Sequence, residues 1–322
     1  MRRREFITLL GGAASCVALT ARAEQAPAIG FLSIRSAEND AKLVTAFKKG
    51  LDETGRRTPP SIEYRFAEGD RGRLTALAAE LTRQHVAIIV AADGASALTA
   101  IREAPSIAVV FFSGGDPVKL GLVASFNRPG GNATGVTVLG HSIVAKRLEV
   151  LREMVPHHEQ VVYLSEWNNP SAEAEIAEVT DAARAIGQRV RVLVMKGSGD
   201  FAGAFDDMTK SEVNALLVGA GPLFTNNRLM MVDLAAQRKI PAIYSAREFV
   251  DAGGLASYGA DLREAFQQVG RYAGRILAGE KPADLPVTQP TKFELIINLK
   301  AAKLNGLTVP PSLLARADEV IE

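Results

Sequence analysis

Three short runs combine small residues with hydroxyls, the last two also with a carboxylate: Ser33 with Arg35 and Ser36, then Asp93-Gly94-Ala95-Ser96, then Ser113-Gly114-Gly115-Asp116. Small residues leave backbone N–H groups accessible and serine hydroxyls donate, so such runs suit a ligand carboxylate. Ser96 and Ser113 are the first candidates for touching it, although both serve equally well as helix N-caps or turn residues. An ionised Asp93 repels a carboxylate and attracts an amine, or else caps the helix that comes after it. Asp116, just before Pro117 in a glycine-rich turn, reads as structural.

A second set lies further along. Trp167, the only tryptophan, stands beside Asn168, Asn169 and Pro170 and offers a platform for a planar ligand, or a plug that seats the loop on its own lobe. Gly221 belongs to a glycine-rich run over 219–224 that leaves the backbone open. Tyr244 suits stacking and Glu248 suits an amine, with packing inside a helix cap as the alternative for each. No arginine cluster stands out in the loops of the first half, so an anion there is expected to be held by backbone amides and hydroxyls at helix N-termini.

Catalytic constellations are missing from the pattern. His85, His141, His157 and His158 have no metal-ligand spacing. The serines in glycine-rich loops lack the Gly-x-Ser-x-Gly frame, and the glycine pairs at 114–115 and 130–131 match no phosphate-binding fingerprint. No enzyme, cofactor or metal is therefore expected.

The elements that must position these residues alternate short aliphatic runs with amphipathic stretches, the pattern of a parallel sheet with helices on both faces. Strands are predicted at 29–34, 62–66, 86–91 and 107–112. Between them Leu43, Phe47 and Leu51, and then Leu74, Leu77 and Leu81, form single apolar stripes. The rhythm breaks over the Gly- and Pro-rich stretch 113–140. A second array begins beyond it, with strands near 161–164, 190–195, 215–218 and 242–244 and helices near 172–186, 201–210 and 228–238. A further strand over 254–259 leads into a helix striped by Leu262, Phe266, Val269, Ala273, Ile276 and Leu277. A proline-punctuated segment over 282–290 precedes the last apolar run at 293–299, a short helix and a tail. In such doubly wound sheets ligands sit off the carboxyl ends of the strands, where the polar runs fall.

The N-terminus reads differently. Arg2, Arg3 and Arg4 precede an apolar run of about 15 residues that closes on Ala21-Arg22-Ala23, the form of a secretory signal peptide over 1–23, too short to span a bilayer. Arg3-Arg4-Glu5-Phe6-Ile7 resembles the twin-arginine export motif, with Arg2 in place of the usual Ser/Thr. Cys16, the only cysteine, lies inside that run in a poor lipoprotein context, so cleavage after Ala23 is expected and no internal disulfide can form. Removing residues 1–23 takes four arginines and one glutamate from totals of 37 and 36, leaving 33 basic against 35 acidic side chains, a net charge of −2. That balance offers no electrostatic footprint for nucleic acid. About 300 residues is more than one core usually serves, which implies two domains.

Several long motifs carry a resemblance. Phe112-Ser-Gly-Gly-Asp-Pro-Val-Lys-Leu-Gly-Leu-Val123, Asn127-Arg-Pro-Gly-Gly-Asn-Ala-Thr-Gly-Val-Thr137, the run from Pro241 to Gly259, and Tyr272-Ala-Gly-Arg-Ile-Leu-Ala-Gly-Glu-Lys-Pro-Ala-Asp-Leu-Pro-Val287 are similar to the ABC-transporter substrate-binding family that includes tryptophan-binding members. The resemblance covers nearly the whole chain after the leader. It implies a type I periplasmic binding protein fold, α/β, with two doubly wound parallel-sheet lobes joined by three crossings near 134–138, 254–258 and 286–293. The lobes are then 24–134 plus 256–288, and 135–255 plus 289–322. It further implies a monomeric periplasmic protein with a small-molecule ligand in the cleft and an inner-membrane permease and ATPase as partners. A ligand-sensing protein that presents its ligand to a membrane receptor is the alternative. A DNA-binding regulator is not expected, because no helix-turn-helix or basic patch precedes the first strand. Asp93 departs from the small polar residue expected of the family at that place.

Overall fold

The aliphatic runs of the first half form five parallel strands: β1 (Ile29–Ser33), β2 (Ile62–Phe66), β3 (Ile88–Ala91), β4 (Ala108–Ser113) and β5 (Ala133–Thr137), in the order β2-β1-β3-β4-β5. The computed structural model describes residues 27–55, 58–139, 143–155, 160–211, 213, 215–290 and 292–322. The expected leader with Cys16, and His141, His157 and His158, lie outside the described residues. Among the described residues no helix is long and apolar enough to cross a membrane.

The second half repeats the same winding. Strands β6 (Gln160–Glu166), β7 (Arg189–Met195), β8 (Leu216–Val218), β9 (Ala242–Tyr244) and β10 (Ala256–Ala260) run in the order β7-β6-β8-β9-β10, all parallel. Two late strands extend this sheet: β11 (Phe293–Asn298) pairs antiparallel with β10, and β12 (Glu319–Ile321) pairs parallel with β11.

Helices cover both faces of each sheet. In the first lobe these are α1 (Ala37–Asp52), α2 (Arg71–Arg83) and α3 (Gly94–Glu103). The second lobe carries α4 (Val144–Met154), α5 (Ala172–Ala185), α6 (Asp200–Lys210), α7 (Pro222–Asn226), α8 (Arg228–Gln237) and α9 (Arg247–Asp251). Then α10 (Leu262–Leu277) returns to the first lobe, while α11 (Leu299–Leu304) and α12 (Pro311–Leu314) finish the second. Each lobe has a buried apolar cluster on either side of its sheet. The stripe on α10 packs beside α1, where Phe266, Val269 and Ala273 meet Leu43, Phe47 and Leu51. The two helices approach so closely that a Cβ at Gly50 would overlap the Gln267 carbonyl, and one at Gly270 would overlap that of Phe47. Glycine at both crossing points removes the clash.

The first two changes of lobe fall a few residues later than the family resemblance implies. Residues 135–137, expected in the second lobe, stay in the first sheet, because β5 pairs with β4 from Val109 to Ser113. Residues 256–260, expected in the first lobe, belong to the second sheet, held between β9 and β11. The chain therefore leaves the first sheet after β5, returns to that lobe at Asp261 after β10, and rejoins the second sheet between Thr288 and β11. Before its last passage it is tied to the first lobe: Thr134 Oγ1 donates to the Leu285 carbonyl at 2.6 Å and Tyr272 Oη to the Pro286 carbonyl at 2.5 Å. Thr288 bridges Val136 in parallel, so the segments leading into the first and last passages run side by side.

Candidate functional site

The carboxyl ends of the two sheets face one another, and their loops enclose an inner cleft of about 120 Å³. From the first lobe it is lined by the β3–α3 turn, with Asp93, Gly94 and Ala95, and by the end of β4, with Phe112, Ser113 and Gly114. From the second come Asn169, Pro170 and Ser171 after β6, then Ala220 and Gly221 after β8. Val138, Ile143 and Leu262, at or next to the passages between lobes, add an apolar wall. Six of the residues singled out in the sequence thus share this space: Asp93, Gly94, Ser113, Gly114, Asn169 and Gly221.

Asp93 is the N-cap of α3. One carboxylate oxygen accepts from Ser96 N–H at 2.9 Å; the other accepts from Ser96 Oγ at 2.6 Å and from Ile34 N–H at 2.9 Å. These bonds fasten the end of β1 to the start of α3 and account for the aspartate at this place by a structural duty. Ser96 is consequently buried beneath the cap and does not line the cleft. Ser33 is also behind the wall, its Oγ accepting from Arg35 N–H at 3.0 Å. Ser113 does line the cleft, with its hydroxyl 3.1 Å from Gly115 N–H and 3.2 Å from the Gly115 carbonyl. Asp116 holds the next turn through Val118 N–H and Lys119 N–H.

Four candidates fall elsewhere. Tyr244 is 1% exposed and stacked on Phe249 with ring centroids 4.6 Å apart, inside a second-lobe core, and burial pushes its phenol well up. The alternation of β9 turns Tyr244 away from the cleft, and the loop residues Ser245 and Ala246 line it instead. Glu248 sits one residue into α9 and lines a small side cavity with Lys42 and Asp251. Trp167 and Asn168 line an outer vestibule of about 760 Å³ at the mouth of the cleft. There Trp167 is 53% exposed, with the Lys196 ammonium 5.6 Å from its ring centre. Asn168 takes a left-handed φ of 58°, which turns the chain between Trp167 and Asn169.

Arginines converge on the cleft from both lobes, although the loops of the first half show no arginine cluster in the sequence. Arg35, Arg71 and Arg147 all line the inner cleft. Arg35, at the end of β1, is paired with the fully buried Asp40 at 2.5 Å, and its guanidinium lies 6.0 Å from the centre of the Phe266 ring. Burial raises the Asp40 carboxyl, with Arg35 and a hydrogen bond from Ser33 pulling the other way. Arg147, on α4, is buried in the second lobe. Close by, Glu175 accepts from Tyr163 Oη at 2.6 Å and from Ala220 N–H at 3.2 Å, which pins the floor of the cleft. Arg71 stands shortly after β2, so the strand-end rule that marks Asp93 and Ser113 marks it as well. Arg147 lies mid-helix and carries no such signal.

Two doubly wound lobes, joined by three passages and facing each other across a cleft at their strand ends, define a type I periplasmic binding protein fold. The sequence profile of the family described as ABC transporter substrate binding protein matches residues 29–321, and the chain belongs to that family. It is a class defined by binding rather than by catalysis. A curated relative, the tyrosine-binding protein of Clostridioides difficile, is 25% identical over 283 residues, covering 86% of this chain and 81% of its own. Among solved structures, an ABC domain from Streptococcus pneumonia in complex with L-Trp superposes with a TM-score of 0.85 at 25% identity, covering 92% of this chain and 100% of that one. The ligand-free, open structure of a substrate binding protein with adhesive properties from Clostridium difficile gives a TM-score of 0.66 at 22% identity, covering 92% and 99%.

Proposed function

We propose that the chain is the extracytoplasmic solute-binding component of an ABC uptake transporter and that it captures a carboxylate-bearing small molecule, an amino acid or aromatic acid, between its lobes. The observation that carries this is the two-sided lining of the inner cleft. Arg35, Arg147 and Ser113 supply donors for a carboxylate, while Phe112, Val138, Ile143 and Leu262 supply an apolar wall for a side chain or ring. Guanidinium groups bind carboxylates through charge-assisted bonds, and such bonds strengthen where water is excluded. The tyrosine and tryptophan named for the two relatives at 25% identity point to the same ligand chemistry.

Closure belongs to the same reading. The lobes touch across the cleft through Asn39 and Asn226 at 3.1 Å and through Lys42 and Asp251 at 2.9 Å. A solute that touches both lobes favours this state by its differential contacts. The arginine-rich leader and Ala21-Arg22-Ala23 support export with cleavage after Ala23, and delivery to an inner-membrane permease and ATPase follows from the family.

Titration calorimetry against L-tyrosine, L-tryptophan, phenylacetate and a neutral pentose tests the ligand. The expected outcome is binding of an amino acid or aromatic acid, weakened by about 1–2 kcal/mol in Ser113→Ala if that hydroxyl donates to the carboxylate. Tight binding of the pentose with no response to any acid would refute the assignment.

A further inference from the structure

Residues of both lobes stand where the inner cleft meets the outer vestibule. Arg71, the first residue of α2, and Pro222, the first of α7, line both spaces. Glu166, the last residue of β6, lines the vestibule and meets Arg71 across the gap, with Arg71 Nη2 and Glu166 Oε1 3.0 Å apart. The carboxylate is held from behind by its own lobe. Its Oε2 accepts from Leu223 N–H at 3.1 Å, and it packs where a Cβ on Gly221 would overlap that same oxygen.

The two ends of this ion pair differ in burial. The Glu166 side chain is 7% exposed and that of Arg71 30%, whereas Lys42 in the Lys42–Asp251 pair is 70% exposed. Burial raises the Glu166 carboxyl, and Arg71 opposes that rise. Leu223 N–H and the Gly221 backbone belong to the same lobe as Glu166 and stay with it when the lobes part. Opening then removes the cation and leaves the anchoring bond. A desolvated charge that loses its partner costs far more than an exposed one, so this pair resists opening more than the solvated Lys42–Asp251 contact does.

We propose that Arg71 and Glu166 form the latch of the clamp: the pair bridges the lobes behind a captured solute, and its rupture sets the rate of release. The proposal rests on the binding-protein reading above, because it needs a closed and an open state. Glu166, which lines only the vestibule, acts without touching the solute, and Arg71 reaches it from the rim of the inner cleft. Both act as positioning residues that hold one lobe against the other.

The test reads lobe separation and release together. In a Cys16→Ala background, spin labels on cysteines placed at Lys49 and Lys210, both exposed and on opposite lobes, report the distance distribution with no added solute and with L-tyrosine or L-tryptophan. Wild type is expected to hold a short-distance population that Arg71→Met and Glu166→Gln each shift to long distances. The double variant should go no further than either single one, because both changes break one bond. Release of bound amino acid from Glu166→Gln, whose altered residue lines only the vestibule, should accelerate about tenfold in stopped flow with the association rate unchanged, the effect of losing roughly 1.4 kcal/mol from the closed state. Melting temperatures near wild type establish that the variants are folded, and Arg71→Lys should restore part of the closed population. Identical distributions in all proteins, strictly additive effects, or a wild type that is open under every condition would overturn the latch. If neither amino acid binds wild type, the choice of solute has failed, and the ligand-free distributions still decide the latch.

Discussion

Arg35→Met is the substitution with the most calculable outcome. It removes the counter-charge of Asp40, which is fully buried, while keeping an unbranched apolar side chain in its place. Breaking a buried pair from one side costs about 3–5 kcal/mol when the remaining charge stays ionised. Asp40 has an escape, since burial already raises its carboxyl, and without Arg35 the rise becomes larger. The folded protein then takes up a proton that the unfolded chain, with an ordinary aspartate, does not. Stability contributed in this way is present at low pH and is lost as pH rises through the folded-state pKa. The deficit of Arg35→Met relative to wild type should therefore be smaller at about pH 5 than at about pH 8. A residue of about 1 kcal/mol should persist at both, from the lost bond to the Ala92 carbonyl at 3.4 Å and the lost contact with Phe266. Adding Asp40→Asn should flatten the pH dependence and recover part of the loss at the higher pH. Urea unfolding at the two pH values measures all of this. Equal deficits at both, or a deficit below about 1 kcal/mol at the higher one, would refute the reasoning.

Two further substitutions test the architecture. Gly50→Ala should lower stability by about 1–3 kcal/mol, read as a lower melting temperature, because the new Cβ must push α10 off α1; an unchanged melting temperature would mean that the helices are not in contact. Tyr244→Ala should cost about 3–5 kcal/mol, whereas Trp167→Ala should stay within about 0.5 kcal/mol, and the reverse order in thermal melts would contradict their placement in core and vestibule.

The winding of both lobes was legible because parallel strands buried on both faces leave continuous aliphatic runs, as at β3 and β4, and because amphipathic helices such as α10 carry one stripe. The strand ends then pointed to Asp93, Gly94, Ser113, Gly114, Asn169 and Gly221. Other features left no trace in the pattern. The segment Ala133–Thr137 is a strand only because β4 offers it a partner, so its Thr- and Gly-containing sequence reads as loop. The side-chain direction of Tyr244 depends on the register of β9, which a run of three strand residues does not define. The fastening of Asp93 to Ile34 N–H joins residues 59 apart in the chain. Arg147 reaches the cleft from mid-helix, where neither spacing nor turn chemistry marks it.

The return of α10 to α1 bears on how this chain can be made. Arg271 Nε on α10 reaches Glu53, just past the end of α1, across 218 positions of sequence, and the second sheet gains its last strand only at Glu319–Ile321. Neither lobe is a continuous stretch of polypeptide, so a ribosome must release nearly the whole protein before either can complete its core. Such long-range closure slows folding and leaves apolar strand edges open meanwhile. For the same reason a fragment cut between the lobes yields no half-protein: a stand-alone first lobe would have to splice residues 27–139 to residues 261–288 through a new loop.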